Sequence, residues 1–223
     1  MGIWVSELPP PTRAAERTEE VTIPGRAGAL TLYEGDNVHE SYVKDCRITV
    51  RSDADFDSIL RWLSGTGEAV FANEPDRVYF GHLAAQVQFT RISNSLKQAT
   101  VSFAVNPHKG QYPPETDITL NASGTVYNPG TVASKPIITL TFTEAATAVF
   151  GASTMTFTAA EPDEGESYAQ ETIVIDCEAE IVTQNGELWG GTVTGDFPRL
   201  EPGTNTVTLT DCTCVIKPRW RWF

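Results

Sequence analysis

The chain has 223 residues, a net charge of −13 and 40% hydrophobic residues, values typical of a globular protein with one large or two small domains. The negative charge argues against binding to nucleic-acid phosphates or to anionic membranes. Apolar runs are short, so no membrane-spanning helix is expected. The first residues lack the basic and apolar segments of a secretory signal, so we expect synthesis in a cytoplasm without export by the usual route.

The first half of the sequence predicts a β-rich domain. Residues 1–20 are polar and contain three consecutive prolines, which indicates an arm or an irregular lead-in. A strand, a glycine-containing turn and a second strand are predicted between Val21 and Tyr33. Apolar and polar side chains alternate over residues 43–51, the pattern of a half-buried strand. Further strands are predicted at 68–72, 76–82, 86–91 and 97–105.

One helix is predicted between Ser52 and Gly65. Ser52 is a suitable N-cap, and the aspartates that follow favour the first turn of a helix. Apolar side chains then recur at helical spacing and form one stripe. The members of the stripe are Phe56, Ile59, Leu60 and Leu63. Because this stripe must pack on the sheet, we expect Leu60 to be buried.

The proline-containing segment 106–116 carries no periodic pattern, so it predicts a domain boundary. Residues 1–112 then form the first domain and residues 113–223 the second. The second domain is rich in Thr and contains only short strands separated by turns, which predicts a β-sandwich and a mainly β fold class. The predicted strands are 118–120, 124–127, 136–143, 154–158, 171–177, 206–210 and 213–217.

Charge differs between the two halves. Residues 1–112 carry 11 Lys/Arg and 14 Asp/Glu, a net charge of −3. Residues 113–223 carry 5 Lys/Arg and 15 Asp/Glu, a net charge of −10. The simplest interpretation is that the acidic surface keeps the protein soluble.

No motif indicates an enzyme or a cofactor. The acidic loop between Glu161 and Glu166 is predicted to be solvated; calcium binding is the alternative. A carboxylate pair for glycoside hydrolysis stays open, because nothing singles out two of the 29 acidic residues. Neither catalytic nor metal-ligating residues are therefore assigned. The cysteines are interpreted as buried thiols, with a metal or redox role as the alternative; they are Cys46, Cys177, Cys212 and Cys214.

Tryptophans are the strongest candidates for ligand contact. Trp189 lies in a glycine-rich turn, where an exposed indole could stack on a sugar or, alternatively, cover the core of the sandwich. Trp220 and Trp222 alternate with arginines near the C-terminus, which indicates a core or interface position. Trp62 lies beside the helix stripe and either widens it or marks a contact between subunits.

The order of these segments resembles the distal tail protein family of siphophages. In the first half, the resemblance rests on the helix 56–63, the strand 101–107, and the segments IPGRAGAL at 23–30 and NEPDRVYF at 73–80. In the second half, it rests on GTVYNPGT at 124–131, SKPII at 134–138, IVIDC at 173–177, FPRL at 197–200, PGTN at 202–205 and PRW at 218–220. It covers roughly residues 20–220.

This resemblance implies a β-rich, ring-forming N-terminal domain with one helix and a C-terminal galectin-like β-sandwich. The implied function is structural: a homo-hexameric ring at the distal end of the virion tail, made in the bacterial host cytoplasm. Its expected partners are the tail tube protein on one side and a tail-tip or receptor-binding baseplate protein on the other. A carbohydrate-binding module or adhesin that contacts host cell-surface glycans is the alternative.

A ring that continues the tail tube must let DNA pass through it without binding the DNA specifically. No membrane is expected among the partners. An acidic lining would repel the phosphates and keep the DNA sliding. Most of the negative charge lies in the second domain, which is expected at the periphery of the ring. The lining is therefore expected from the first domain. The candidates are Asp36, Glu40, Asp45, Glu68 and Glu74.

Overall fold

The computed structural model describes residues 3–33, 35, 38–51, 53–164 and 166–223. These residues are strand-rich and contain a single short helix, which confirms the mainly β fold class. They divide into two units: residues up to Pro113 together with Phe223, and Pro114–Trp222. Among the described residues, no helix has the length and apolar character needed to span a membrane.

The first unit contains a seven-stranded antiparallel sheet and a separate two-stranded hairpin. In chain order its elements are β1 (Ile3–Glu7), β2 (Thr18–Thr22), β3 (Ala29–Tyr33), β4 (Tyr42–Arg51), α1 (Phe56–Trp62), β5 (Thr66–Ala69), β6 (Arg77–Leu83), β7 (Thr90–Arg91), β8 (Leu96–Val105) and β9 (Gly110–Gln111). The sheet order is β1-β4-β8-β6-β5; β7 pairs with β8, β9 pairs with β6, and β2 pairs with β3 in the hairpin.

The central strands follow the predicted alternation. Cys46, Ile48 and Val50 of β4 point into the core, opposite Ala99 and Val101 of β8. Two strands differ from the prediction. The lead-in contains β1, and the expected strand at 86–91 is reduced to the two residues of β7. Strand β1 shows no apolar alternation, because it lies at the edge of the sheet. It is held there by backbone hydrogen bonds to β4.

The helix shows a correction to the predicted stripe. Ile59 is 1% exposed and packs in the core with Leu63, but Leu60 is 43% exposed, so the expectation that Leu60 is buried was wrong. With only seven residues, α1 buries a narrow sector centred on Ile59, and Leu60 falls outside it. Ser52 lies outside the described residues; the N-cap is Asp55, whose carboxylate accepts the Ser58 N–H at 3.2 Å.

The segment 106–116 is partly ordered by the first sheet. Gly110 of β9 pairs with Val78 of β6, and Lys109 is buried. Because this half of the segment is packed, only the residues after it can act as an open connection. The division between the two units follows Pro113.

The second unit contains a nine-stranded sheet. Its strands are β10 (Ile118–Leu120), β11 (Gly124–Asn128), β12 (Ile137–Phe150), β13 (Ser153–Thr158), β14 (Glu171–Asp176), β15 (Ile181–Gln184), β16 (Glu187–Leu188), β17 (Thr192–Gly195) and β18 (Gly203–Lys217). The two longest strands, β12 and β18, pair with each other along most of their length.

These long strands curl the sheet around its core. The first half of β12 pairs with β14 and its second half with β13. The beginning of β18 pairs with β11 and its end with β10. At the change of partner, residues 143–146 of β12 face only Asp211 of β18, a bulge that bends both strands. The sequence predicted shorter, separate strands here because the bulge interrupts the alternation.

Two polar side chains hold the ends of this curled sheet. The Asn128 amide donates to the carbonyls of Val132 and Leu200 and accepts the Gly130 N–H at 2.7 Å. The Asp176 carboxylate accepts two hydrogen bonds from the Arg219 guanidinium, both at 3.0 Å. Trp220 and Trp222 are buried in the core, as one of the two sequence interpretations proposed.

We predict that Ile59→Ala lowers the free energy of unfolding by about 2–5 kcal/mol, because it leaves a cavity between α1 and the sheet. The matched substitution Leu60→Ala should cost less than about 1 kcal/mol, because that side chain is largely exposed. Chemical denaturation of both variants measures the difference. Equal losses for the two variants would contradict the burial described here.

Candidate functional site

The predicted channel-lining carboxylates differ in their surroundings. Glu40, Asp45 and Glu68 are exposed, Glu74 is largely enclosed, and Asp36 lies outside the described residues. Asp45 accepts a hydrogen bond from the Ser102 hydroxyl at 2.6 Å. Three of the five candidates therefore present open carboxylates on the first unit, but their place relative to a channel stays a prediction.

A shallow groove lies beside Glu68 at the open end of the first sheet. It has a volume of about 320 Å³ and is formed by β5, β6 and the residue after β8. The lining residues are Thr66, Gly67, Glu68, Phe80, Gly81, His82 and Asn106. Gly81 allows the backbones of β6 and β8 to approach each other closely, because a Cβ atom at position 81 would lie 2.2 Å from the Ala104 carbonyl oxygen.

Glu74 is the centre of a charged cluster inside the first unit. Its two carboxylate oxygens accept hydrogen bonds from the Lys109 ammonium at 2.9 Å and the Lys44 ammonium at 3.2 Å. The Tyr79 hydroxyl donates to the same oxygen as Lys44. The Lys44 side chain is only 1% exposed and its ammonium lies 4.4 Å from the centroid of the Tyr79 ring. One carboxylate thus balances two buried lysines.

The protonation of the cluster follows from burial and pairing. Burial alone would raise the pKa of Glu74, but the hydrogen bonds from Tyr79, Lys109 and Lys44 outweigh it, so the pKa lies below its ordinary value. Burial lowers the pKa of Lys44 despite the neighbouring Glu74. Burial and then Glu74 raise the pKa of Tyr79, and the same two causes raise the pKa of Tyr42 to about 12. Both tyrosines therefore stay protonated donors at neutral pH.

The sequence indicates that Glu74 lies on a loop but does not reveal its lysine partners. The sequence does contain one indication of a buried lysine. Lys44 lies on the same face of β4 as the apolar Cys46, Ile48 and Val50. A lysine in a core phase needs an internal partner of opposite charge. That partner lies 30 residues away, so the sequence pattern alone does not identify it.

The opposite face of the first sheet is mostly polar, although Val43 on β4 is exposed. Across β1, β4 and β8, Ser6, Thr49 and Gln98 form a ladder of side-chain hydrogen bonds, and Arg47 pairs with Glu7 at 2.9 Å. At the edge, Trp4 is 50% exposed and its neighbour Val5 is 53% exposed. The edge strand β1 therefore presents both unpaired backbone groups and apolar side chains.

The indole of Trp189 packs inside the second unit. Its ring meets Phe142 edge-on, with the ring centroids 5.7 Å apart, and its N–H donates to the Glu171 carboxylate. Phe157 lies beside both rings. This geometry matches the packing interpretation of Trp189; its contact with carbohydrate stays a prediction.

The other candidate groups lie apart from one another. In the described part of the chain, no group of three or more His, Cys, Asp or Glu side chains is arranged to hold a metal ion. Gly165 of the acidic loop is outside the described residues, and the loop carboxylates Glu161, Glu164 and Glu166 are exposed. All four cysteines are free, and burial raises the pKa of Cys177 and Cys214 to about 12, which keeps these thiols protonated.

Comparison with known proteins bears on both units. Residues 129–222 match the model of a family described as siphovirus-type tail component, C-terminal domain. The chain is also similar to the crystal structure of SPP1 Dit (gp 19.1), described as a paradigm of the hub adsorption apparatus in phages that infect Gram-positive bacteria. That match has a TM-score of 0.68 and 15% identity, and covers 96% of this chain and 91% of the other. No curated protein sequence matches.

These findings confirm the resemblance to the distal tail proteins that the sequence motifs indicated. The family match rests on the second unit, and the structural likeness extends the same fold to nearly the whole chain. Together they support a structural role in a phage tail.

We predict that the Glu74 cluster makes stability depend on pH. Because the folded-state pKa of Glu74 is lowered, its contribution is present above the ordinary pKa of 4.5 and is lost as the pH falls through the folded value. Glu74→Gln should cost about 3 kcal/mol near neutral pH, since two buried lysines lose their counter-charge. The difference from the unchanged protein should shrink as the pH falls below 4.5 and through the lowered folded-state pKa.

Denaturation of both proteins across this pH range measures the effect. Glu68→Gln is the matched control, because Glu68 is an exposed carboxylate of the same unit. A difference for Glu74→Gln that stays constant with pH would contradict the assignment.

Proposed function

We propose that this chain, whose residues 129–222 match the siphovirus-type tail component domain, assembles into a hexameric ring at the distal end of the tail. The ring would connect the tail tube protein to a tail-tip or receptor-binding baseplate protein. The observation that carries this proposal is the family match, joined to a fold likeness over 96% of the chain. The role is architectural, and we assign no enzymatic activity.

The first unit is the better candidate for ring formation. Its sheet has two open edges, β1 and β5, at opposite ends of the strand order. Two different edges of one subunit can pair head to tail with those of its neighbours, and such contacts close into a ring when the rotation is suitable. In contrast, the second unit has a net charge of −10 over residues 113–223, which favours separation of neighbouring copies.

A ring in this position would form a channel for DNA. The exposed carboxylates Glu40, Asp45 and Glu68 of the first unit support an acidic lining, which would repel the phosphate backbone. Glu74 contributes less to this lining, because its charge is balanced inside the unit by Lys44 and Lys109.

We predict that the purified protein has a mass near six times 24.3 kDa. Size-exclusion chromatography with light scattering measures this mass directly. A monomer at all concentrations would favour the alternative, a carbohydrate-binding module. Electron microscopy of the same particle tests the conduit: a closed centre or a channel rich in Lys and Arg would contradict it.

A second prediction concerns the edge strand β1. Replacing Trp4 and Val5 by Glu should disrupt assembly, because charged side chains at an exposed edge block pairing with another strand. The control is Leu188→Glu, which adds a charge at a 77% exposed position of the second unit. We expect a monomer for the edge variant and an unchanged mass for the control. Retention of the ring by the edge variant would exclude β1 from the interface.

A further inference from the structure

The segment between β1 and β2 crosses the first unit without a strand partner for most of its length. We call residues 8–17 the strap. It contains Pro9, Pro10 and Pro11, which have no backbone N–H and cannot take part in a normal ladder of hydrogen bonds. Their carbonyl groups nevertheless need donors when they are packed against the protein. The proline part of the strap is therefore expected to be held by donors from side chains.

Three side chains from the body of the unit supply these donors. The Asn73 amide donates to the Pro9 carbonyl at 2.8 Å and the Lys44 ammonium to the Pro10 carbonyl at 3.0 Å. The Tyr42 hydroxyl donates to the Thr12 carbonyl at 3.3 Å. Three carbonyls of the strap are thus bound by donors from β4 and from the loop that carries Glu74.

The strap continues with backbone contacts beyond the prolines. The Glu40 N–H donates to the Ala15 carbonyl at 2.9 Å, and the Arg17 N–H donates to the Val38 carbonyl at 3.0 Å. Ala14, which directly precedes these contacts in the chain, is buried. The prolines and the following residues are consequently fixed along one continuous path from β1 to the β2–β3 hairpin.

The buried cluster explains why Lys44 binds the strap. Glu74 is shared with Lys109, so the cluster holds two ammonium groups and one carboxylate. A charge of Lys44 that Glu74 does not fully balance is stabilised by a carbonyl dipole, and the Pro10 carbonyl supplies it. Lys109 makes the same kind of ion pair with Glu74 but is not among the donors to the strap described above. The two lysines therefore have different roles.

We propose that Lys44 and Glu74 form a latch that fastens the strap and so positions the two elements attached to its ends. One end continues into the edge strand β1, with its exposed Trp4 and Val5. The other end continues into the β2–β3 hairpin, where Leu32 and Tyr33 are exposed. Glu74 is a positioning residue: it keeps Lys44 charged and directed at the Pro10 carbonyl. This inference does not depend on the proposed ring.

Hydrogen exchange measured by mass spectrometry on the full-length protein tests the latch. Lys44→Met keeps the aliphatic stem in the core but removes the donor to Pro10. We expect exchange of the amides of residues 12–17 to rise about tenfold or more, while the amides of β8 keep their protection. Trypsin cleavage after Arg13 should accelerate in parallel, because Ala14 would no longer be held in its buried position.

Lys109→Met is the matched control, because it removes the other lysine of the same cluster. It should leave exchange in residues 12–17 unchanged. Asn73→Ala provides an independent test at an exposed position and should also loosen the strap. Unchanged exchange in Lys44→Met would overturn the latch, whatever the result for Asn73→Ala. An equal rise throughout the unit for both lysine variants would also overturn it, since that result indicates general destabilisation.

Discussion

The carboxylate of Glu74 organises the interior of the first unit. It binds Lys44, Lys109 and Tyr79, which belong to β4, to the segment before β9 and to β6. Two lysines can be buried on these elements only because one acidic group lies between them. The same arrangement leaves Lys44 able to bind the Pro10 carbonyl, so the charged cluster also determines the path of the N-terminal segment. The buried charges thus hold β4, β6, the segment before β9 and the N-terminal segment together, although these parts are distant in the sequence.

The second unit depends on a different constraint, the continuity of its two long strands. Strands β12 and β18 run through both halves of the curled sheet and pair with each other in each half. The two halves are therefore parts of one continuous sheet. The apolar residues on the inner side can then form one core, closed by Trp189, Trp220 and Trp222. The polar anchors Asn128 and Asp176 satisfy backbone groups at the ends, where the regular ladder stops.

The charged cluster of the first unit and the long strands of the second are structural features, consistent with the proposed role in a phage tail. The family match concerns a siphovirus-type tail component, and the fold likeness concerns a hub protein. The first unit combines open sheet edges with exposed apolar side chains, the features that favour association. The acidic second unit has features that favour solubility and separation of copies.

The sequence by itself determined the features that depend on neighbouring residues: the alternation of β4 and β8, the hairpin and the location of the helix. Its motifs also indicated the resemblance to phage tail components. Tertiary structure decided which side of the helix is buried, since Ile59 and Leu60 both fit the local pattern. It also decided the pairing of Lys44 with Glu74 and the continuation of β12 as one strand beyond its bulge. Periodicity is a local property, whereas burial, charge pairing and strand partners depend on residues that are distant in the sequence.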